Sequence, residues 1–403
     1  MPMLHRTTAG PLGLLESYEP GRSTVFAAPD RTVLALGNRL GADVATAQSD
    51  LVAQVESFLD RGEMHMVLAA IPFDPDRPAA LVLPESVEVV PGRRGQHPDD
   101  GRGVREHRAP AGVIAAVNGD RWQLGRLPSR ETYAASVSES LLRIERGELA
   151  KIVLARSIDL TGGGPVDAAA ILRRLAVRDP GAYAYAIGLP SDDGLPRELV
   201  GASPELLVQR VGRRVVAPAI AGSAERSTDP VLDARRGGDL LTSVKDLAEH
   251  AFVDDAVRAS LAPYCRDLVG SANPRLIATA TMWHLQTEVS GELLDPGTSS
   301  LRLALALHPT PAVCGVPTAT ARAAIGELEG FDRDFYAGVV GWCDRDGDGE
   351  WVVAIRCAEV RPESLRLYAG AGVVAGSVPT AEVAETAAKF RTLLEAMGLD
   401  DVA

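Results

Sequence analysis

Lysine is nearly absent from this 403-residue chain. It occurs only at Lys151, Lys245 and Lys389, and the rest of the 41 basic residues are arginine. Arginine keeps its proton in a protein, whereas lysine can give one up, so a site that needs a neutral amine must draw on these three positions. An incidental surface charge is the ordinary alternative for each. Cysteine is scarce too. Cys265, Cys314, Cys343 and Cys357 stand far apart with no C-x-x-C spacing, which excludes zinc and redox motifs and reads as reduced thiols packed as small hydrophobes. Positive charge is in deficit, and the net charge of −13 argues against nucleic acid or an anionic membrane as partner, though a local basic pocket could still hold a small anion. No stretch reaches the ~18–20 apolar residues of a membrane span. The opening MPMLHRTTAGPLGLLESYEP lacks a charged segment followed by an apolar run, so no signal peptide is expected and the expected location is cytoplasmic.

What is present is an apolar, well-patterned chain: 46% hydrophobic and 24% charged residues suffice for a globular core. Residues 23–37 predict two short strands turning at Pro29-Asp30, residues 44–60 a helix, and MVLAAIPF and AALVLPESVEVV further strands. PGRRGQHPDDGRGVREHRAPAG, residues 91–112, is a polar Gly- and Pro-rich loop, and a soft boundary is placed at its end, dividing an N-terminal part, 1–112, from residues 113–403. Beyond it, a helix over 131–147 leads into the strand KIVLARSIDL. A helix over 166–177, several strands, a long helix over 232–261, more strands and a closing helix over 381–397 follow. YAGVVGWCDRDGDGEWVVAIRCAEV reads as one hairpin. Strands grouped by hairpins and bracketed by helices predict an α+β fold with largely antiparallel sheets. Two decoys fall away. DRDGDGE begins like a calcium loop, but the position that needs a glutamate is Ile355, and AGAG at 369–372 has too few glycines for a dinucleotide loop, its small residues instead admitting a ligand or another backbone.

Chemistry concentrates late in the chain. In the closing helix Glu382, Glu385 and Lys389 fall within about 60° of arc beside an apolar stripe. By spacing alone a solvated edge of ordinary Glu–Lys pairs is the commoner reading. SVKDLAEH offers Glu249 and His250 one turn after Lys245 and Asp246, and one carboxylate from each of two helices, completed by waters and an anionic substrate, is a common way to hold Mg2+. Glu205 in SPELLV heads an apolar run, where desolvation would raise its pKa toward neutrality, unless it points to water. Arg356 ends an apolar strand and calls for a paired anion, a ligand carboxylate among the candidates. LHPTPAVCGVP is a proline-locked loop able to wall a pocket. Together these ask for acid–base chemistry on a small polyanion held by a divalent cation.

KIVLAR, GASPELLV, PAIAGSAERS, KDLAEH, WHLQTEVSG, LHPTPAVCGVP, GELEGFDRDFYAGVVGW, WVVAIRCAEV, YAGAGVVAGSVP and AEVAETAAKF, in this order, resemble the chorismate-utilising enzymes over about residues 130–397. The resemblance implies a single large α+β fold with two mostly antiparallel sheets packed together and helices outside. The likeness is strongest to the isochorismate synthases, which convert chorismate to isochorismate, the step from which siderophore, salicylate and menaquinone routes begin. It implies Lys151 as the base that deprotonates water for attack at C2, and Glu205 as the acid that protonates the departing C4 hydroxyl. It implies Glu249 and Glu385 as Mg2+ ligands with Glu382 nearby. Arg356 and Lys389 would bind substrate carboxylates, with Gly222, Ser223, His284, Ala312, Val313, Tyr336 and Gly370 shaping the substrate pocket. The anthranilate type usually carries Gln where Lys151 stands, aminodeoxychorismate synthases usually carry Lys where Ala221 stands, and ammonia users and salicylate synthases tend to carry Thr where Ser223 stands. Water as nucleophile is therefore expected, with no glutaminase subunit, and the chain is expected to be a monomer. The competing expectations are a salicylate synthase, an ammonia-dependent aminase and a non-catalytic chorismate-binding relative.

Overall fold

The structure, a computed structural model, describes residues 4–5, 10–39, 45–61, 64–92, 122–162, 164–191, 193–279 and 281–397. The loop expected at 91–112 and the boundary at its end lie almost wholly outside them. Among the described residues two large sheets dominate, one of eleven strands and one of ten. Neighbouring strands are antiparallel, apart from the parallel pair Leu4–His5 with Ser86–Pro91.

The first sheet runs from Leu4–His5 through Ser86–Pro91, Arg31–Leu36, Ser23–Ala27, Tyr183–Gly188, Glu198–Ser203, Cys357–Arg361 and Ser364–Val374 to Lys151–Thr161 and Gly315–Val316. The second runs from Cys265–Gly270 through Met282–Leu293, Arg214–Glu225, Leu206–Val211, Gly349–Val353 and Val339–Asp344 to Met66–Ile71, Ala79–Val82 and Ala45–Thr46. The strands before residue 93 are thus spliced into both sheets. Ser23–Ala27 pairs with Tyr183–Gly188, and Met66–Ile71 with Val339–Asp344.

Side-chain alternation along a strand decides what each face meets. Tyr185 and Ile187 join one core with Leu68, Val208, Ala217 and Val352 of the second sheet. Ala184 and Ala186, which alternate with them, face the other way, into a core shared with Leu14 and Leu15, Leu172 and Leu175, and Phe390 and Leu394. Those partners come from the helices Pro11–Glu16, Ala168–Arg178 and Pro379–Met397, so the first sheet is sandwiched between the second sheet and a helical layer.

Two sequence expectations are revised. The helix over 232–261 is two helices, Pro230–Thr242 and Val244–Leu261. Ser243 between them is extended (ψ 113°), and its side chain accepts from the Asp246 N–H, so a serine cap restarts the helix where period alone ran through. The run from Tyr336 to Val360 is not one hairpin. Val339–Asp344 and Gly349–Val353 pair in the second sheet, with DRDGDGE at their turn, and the chain then crosses into the first sheet as Cys357–Arg361.

A buried ion pair ties the strand Lys151–Thr161 to its surroundings. Arg333 donates through Nε to Glu329 Oε2 at 2.8 Å, through Nη1 to the Val313 carbonyl at 2.7 Å and through Nη2 to the Val153 carbonyl at 2.7 Å. Glu329 Oε1 accepts the Ala155 N–H at 2.6 Å, and the guanidinium lies 4.4 Å from the centroid of the Phe73 ring. Both residues are at most 3% exposed. Removing one member of such a pair strands the other charge without water, which typically costs about 3–5 kcal/mol, against about 0–1 for an exposed pair such as Arg77–Asp332. Arg333→Met should therefore lower the free energy of unfolding in urea several-fold more than Arg77→Met, and equal losses would show that the network bears no load.

Candidate active site

The site is built where the chain passes twice between the sheets. Glu198–Ser203 lies in the first sheet and Leu206–Val211 in the second, so Pro204 and Glu205 form a crossing. Ala354, Ile355 and Arg356 form the return crossing alongside. The two are stitched by the Ala202 N–H donating to the Arg356 carbonyl at 3.1 Å and the Val353 N–H donating to the Glu205 carbonyl at 3.0 Å. Arg356 adopts φ 51°, the left-handed region, which costs a residue with a Cβ roughly 1 kcal/mol or more and which the flanking strands enforce. The seam opens into a cleft of ≈ 750 Å3, counting the space open to solvent at its mouth.

Glu205 is 7% exposed. Burial raises its carboxyl pKa to about 7, against the opposing pull of the cations Lys151, Arg356 and Lys389. Arg356 is also buried, and its Nη2 has no hydrogen-bond partner, a donor left for a ligand. His284 is held neutral: burial, then the charges of Arg356 and Lys389, push its pKa down to about 3, and its Nε2 is buried without a partner. It stands opposite Ser223 in the strand pair, beside a bulge at Gly222, whose φ of 79° a glycine adopts without strain.

Helix Pro379–Met397 presents Glu385 and Lys389 to the cleft. Glu385 Oε1 accepts from Ser223 Oγ at 2.9 Å and lies 2.7 Å from Lys389 Nζ. Burial opposes its charge, but Lys389, Lys245 and the Ser223 hydroxyl outweigh burial and lower its pKa. Lys389 also donates to the Gly370 carbonyl at 2.8 Å. Glu249, on helix Val244–Leu261, brings a second carboxylate to the cleft from another direction. The glycines of AGAG make room: a Cβ on Gly372 would sit 2.1 Å from Glu249 Oε1, and one on Gly370 would sit 3.0 Å from the Tyr336 hydroxyl. Tyr336 is held by Tyr368, stacked at 4.8 Å between centroids with 9° between planes. Ala312 and Val313 of the proline-locked loop complete the wall.

All the residues expected from sequence border this cleft except two. Lys151, the first residue of its strand, has no exposed surface and sits behind Glu249, with Nζ 3.0 Å from Oε1. The contact is an ion pair off the direction of a hydrogen bond, and no other polar atom among the described residues satisfies that amine. Glu382 turns away: its Oε1 accepts from Lys245 Nζ at 2.8 Å, and burial, then the neighbouring Glu385, raises its pKa. Among the described residues no three His, Cys, Asp or Glu side chains converge as a metal centre. Glu249 and Glu385 nonetheless supply hard oxygen donors on two helices at one cleft, a set that suits a magnesium ion if water and substrate complete its shell. Sequence reading missed Tyr368 and the Glu329–Arg333 pair. The pair was visible as a four-residue spacing inside GELEGFDR, but nothing in one sequence reveals that both charges are buried.

Comparison with known proteins places the chain among relatives of one family. The family model for chorismate binding enzymes matches residues 116–398. The isochorismate synthase DhbC of Bacillus subtilis is 46% identical over 399 residues, 96% of each chain. The crystal structure of DhbC from Bacillus anthracis superposes with a TM-score of 0.87 at 43% identity, covering 96% of this chain and 99% of that one. Anthranilate synthase component I of Streptococcus pneumoniae shares the fold alone, with a TM-score of 0.64 at 19% identity over 98% and 94% of the two chains.

Burial of Glu205 makes a stability prediction. Its folded-state pKa of about 7 lies above the 4.5 of a free glutamate, so the folded state binds the extra proton in between. The group therefore costs nothing below about pH 4.5 and becomes progressively destabilising as pH rises through about 7, by roughly 3 kcal/mol in the limit. Glu205→Gln should raise unfolding stability at pH 8 and leave it nearly unchanged at pH 4.5. An equal effect at both pH values would contradict a raised pKa.

Proposed function

The chain belongs to the chorismate-binding enzyme family, and we infer that it is an isochorismate synthase, catalysing the reversible isomerisation of chorismate to isochorismate. The observation that carries this reading is a carboxylic acid that titrates near neutrality, Glu205, within electrostatic reach of a fully buried lysine, Lys151, and of two cleft cations, Arg356 and Lys389. Chorismate brings two carboxylates, an allylic ring system and a C4 hydroxyl. Arg356 supplies an unpaired guanidinium edge for one carboxylate, and Lys389, held on the Gly370 carbonyl, supplies a second cation. Glu205, half protonated near pH 7, gives its proton to the C4 oxygen, which leaves as water. Lys151, which stands behind Glu249 at the edge of the cleft, is the residue assigned to take a proton from the water that attacks C2. One water enters and one leaves, so the atoms balance as an isomerisation. Arginine could not replace Lys151, because it cannot lose its proton.

Glu249 and Glu385 are the residues that would hold Mg2+. When bound, the ion restrains the ring carboxylate and neutralises charge. Ser223 orients Glu385 for this role, and the space over Gly372 lets the Glu249 carboxylate reach the cleft. Neutral His284 and the stacked Tyr336 shape the wall beside the ring without adding charge. Water rather than ammonia as nucleophile is favoured by a lysine at 151, and the shared fold of anthranilate synthase component I cannot decide that point.

The test incubates pure protein with chorismate, with Mg2+ or chelator and with or without ammonium, and resolves the products by chromatography. Isochorismate formed without ammonium and lost on chelation is expected. Salicylate with pyruvate, or an amino product formed only with ammonium, would overturn the assignment. Lys151→Arg should lower kcat by about 10²–10⁴-fold, the usual worth of a general base, and near-normal turnover in that variant would remove Lys151 from the role.

A further inference from the structure

Helix Val244–Leu261 meets the cleft with its N-terminal half, and that half is held by polar contacts. The buried apolar stripe of the helix, Val253, Val257 and Leu261, lies further along and packs into the larger core. Ahead of Val253 the only buried side chains of the helix are Glu249 and His250. Successive residues point about 100° apart around a helix axis, and these two are keyed to different sheets. Glu249 is directed at the first sheet. Its Oε1 lies 3.0 Å from Lys151 Nζ and occupies the space that a Cβ on Gly372 would need. His250 is directed at the second sheet, with Nε2 2.8 Å from Oγ1 of Thr287 on strand Met282–Leu293.

We propose that His250 is a positioning residue: its hydrogen bond to Thr287 fixes the rotation of helix Val244–Leu261 and so aims the Glu249 carboxylate into the cleft. The inference rests on the reading of Glu249 as one of the two carboxylates that would hold Mg2+, and it adds the device that places that carboxylate.

Three observations support it. First, the bond is shut off from water: His250 is 4% exposed and Thr287 3%. Turning the helix would break the bond and leave both groups buried and unpaired, so one rotation is favoured over its neighbours. Second, the hydroxyl stands where packing does not ask for one. Thr287 shares a strand face with Leu285 and Val289, both fully buried, and lies opposite Ala219. Valine would fill the same volume, and what threonine adds is the partner of the imidazole. Third, the other contacts of this half are too loose to set the rotation. Val244 is mostly exposed, and Lys245 reaches Glu382 on a flexible four-carbon stem. Ser243 caps the backbone, which fixes where the helix starts and not which way it faces. Glu249 cannot anchor itself, because its contact with Lys151 leaves the Lys151 amine without a hydrogen bond.

The proposal is tested on the full chain with Thr287→Val, Thr287→Ser, His250→Leu and Glu249→Gln beside the wild type. Each protein is titrated with Mn2+, a paramagnetic stand-in for Mg2+, and binding is read from loss of the free ion's electron paramagnetic resonance signal. Urea unfolding is measured in parallel. Thr287→Val removes the hydroxyl at constant volume and should weaken Mn2+ binding by about tenfold or more, the usual effect of losing a group that orients a metal ligand. His250→Leu breaks the same bond from the helix side and should show the same loss. Thr287→Ser keeps the hydroxyl and should bind as the wild type does. With chorismate, Thr287→Val should slow turnover more at limiting than at saturating Mg2+. Wild-type Mn2+ affinity in Thr287→Val and His250→Leu, whatever their unfolding stability, would make the bond a packing contact and overturn the proposal. Equal weakening in Thr287→Val and Thr287→Ser would overturn it too, since the hydroxyl would not be the cause. Glu249→Gln separates the two levels of the argument. If it binds Mn2+ as the wild type does, the reading of Glu249 falls and the inference with it. If it loses Mn2+ while Thr287→Val and His250→Leu do not, the inference alone falls.

Discussion

The molecule is organised around a seam in which the chain steps from one sheet to the other twice, side by side. Strands in each sheet are pinned by their ladders, so the few residues between Ser203 and Leu206, and between Val353 and Cys357, have almost no freedom. That confinement buries the Glu205 carboxyl and the Arg356 guanidinium at one place. It also holds Arg356 in a backbone conformation it would not otherwise adopt. A charged group on a regular strand here, such as Glu198 or Arg210, is buried against partners the fold supplies. At a crossing it can be buried and still face a cavity.

The wall opposite rests on the Glu329–Arg333 pair. Through two carbonyls and one amide the pair joins the strand that begins at Lys151 to the proline-locked loop at Val313. Each nitrogen of the Arg333 fork has an acceptor, so this charge is structural, whereas Arg356 and Arg156 each keep a buried nitrogen without one. The distinction separates an arginine that holds the fold from one, Arg356, that borders the cleft with capacity for a ligand. Three carboxylates each have a lysine at hand: Glu249 near Lys151 and Glu385 on Lys389 at the cleft, and Glu382 on Lys245 turned away from it. The three lysines of the chain are thus all spent on one cluster, where a compact amine fits between carboxylates and a planar guanidinium would not.

Function here is in tension with stability. A carboxyl that titrates near 7 is one the fold would rather not ionise, and a buried amine with a poorly directed partner is one it leaves unsettled. Such groups persist only where the surrounding frame over-determines their positions, which two spliced sheets and a sandwiching helical layer provide.

The amino-acid sequence by itself determined the class of fold, through period-2 and period-3.6 patterning, and it marked the candidate site residues through their chemistry: lysine among arginines, a glutamate at the head of an apolar run, and carboxylates at helical spacing. It also carried the family, in motifs spread over most of the chain. It did not carry the break at Ser243, because a capping serine inside a periodic run looks like any helix serine. Nor did it carry the splicing of the first strands into both sheets, or the crossing hidden in WVVAIRCAEV, because local pattern is the same whichever sheet a strand joins. Only the tertiary structure decided that Glu382 turns to Lys245 while Glu385 faces the cleft, and that Lys151 stands behind Glu249. Those outcomes depend on which surfaces meet across long sequence separations, and burial, the quantity that sets each group's charge, exists only once they have met.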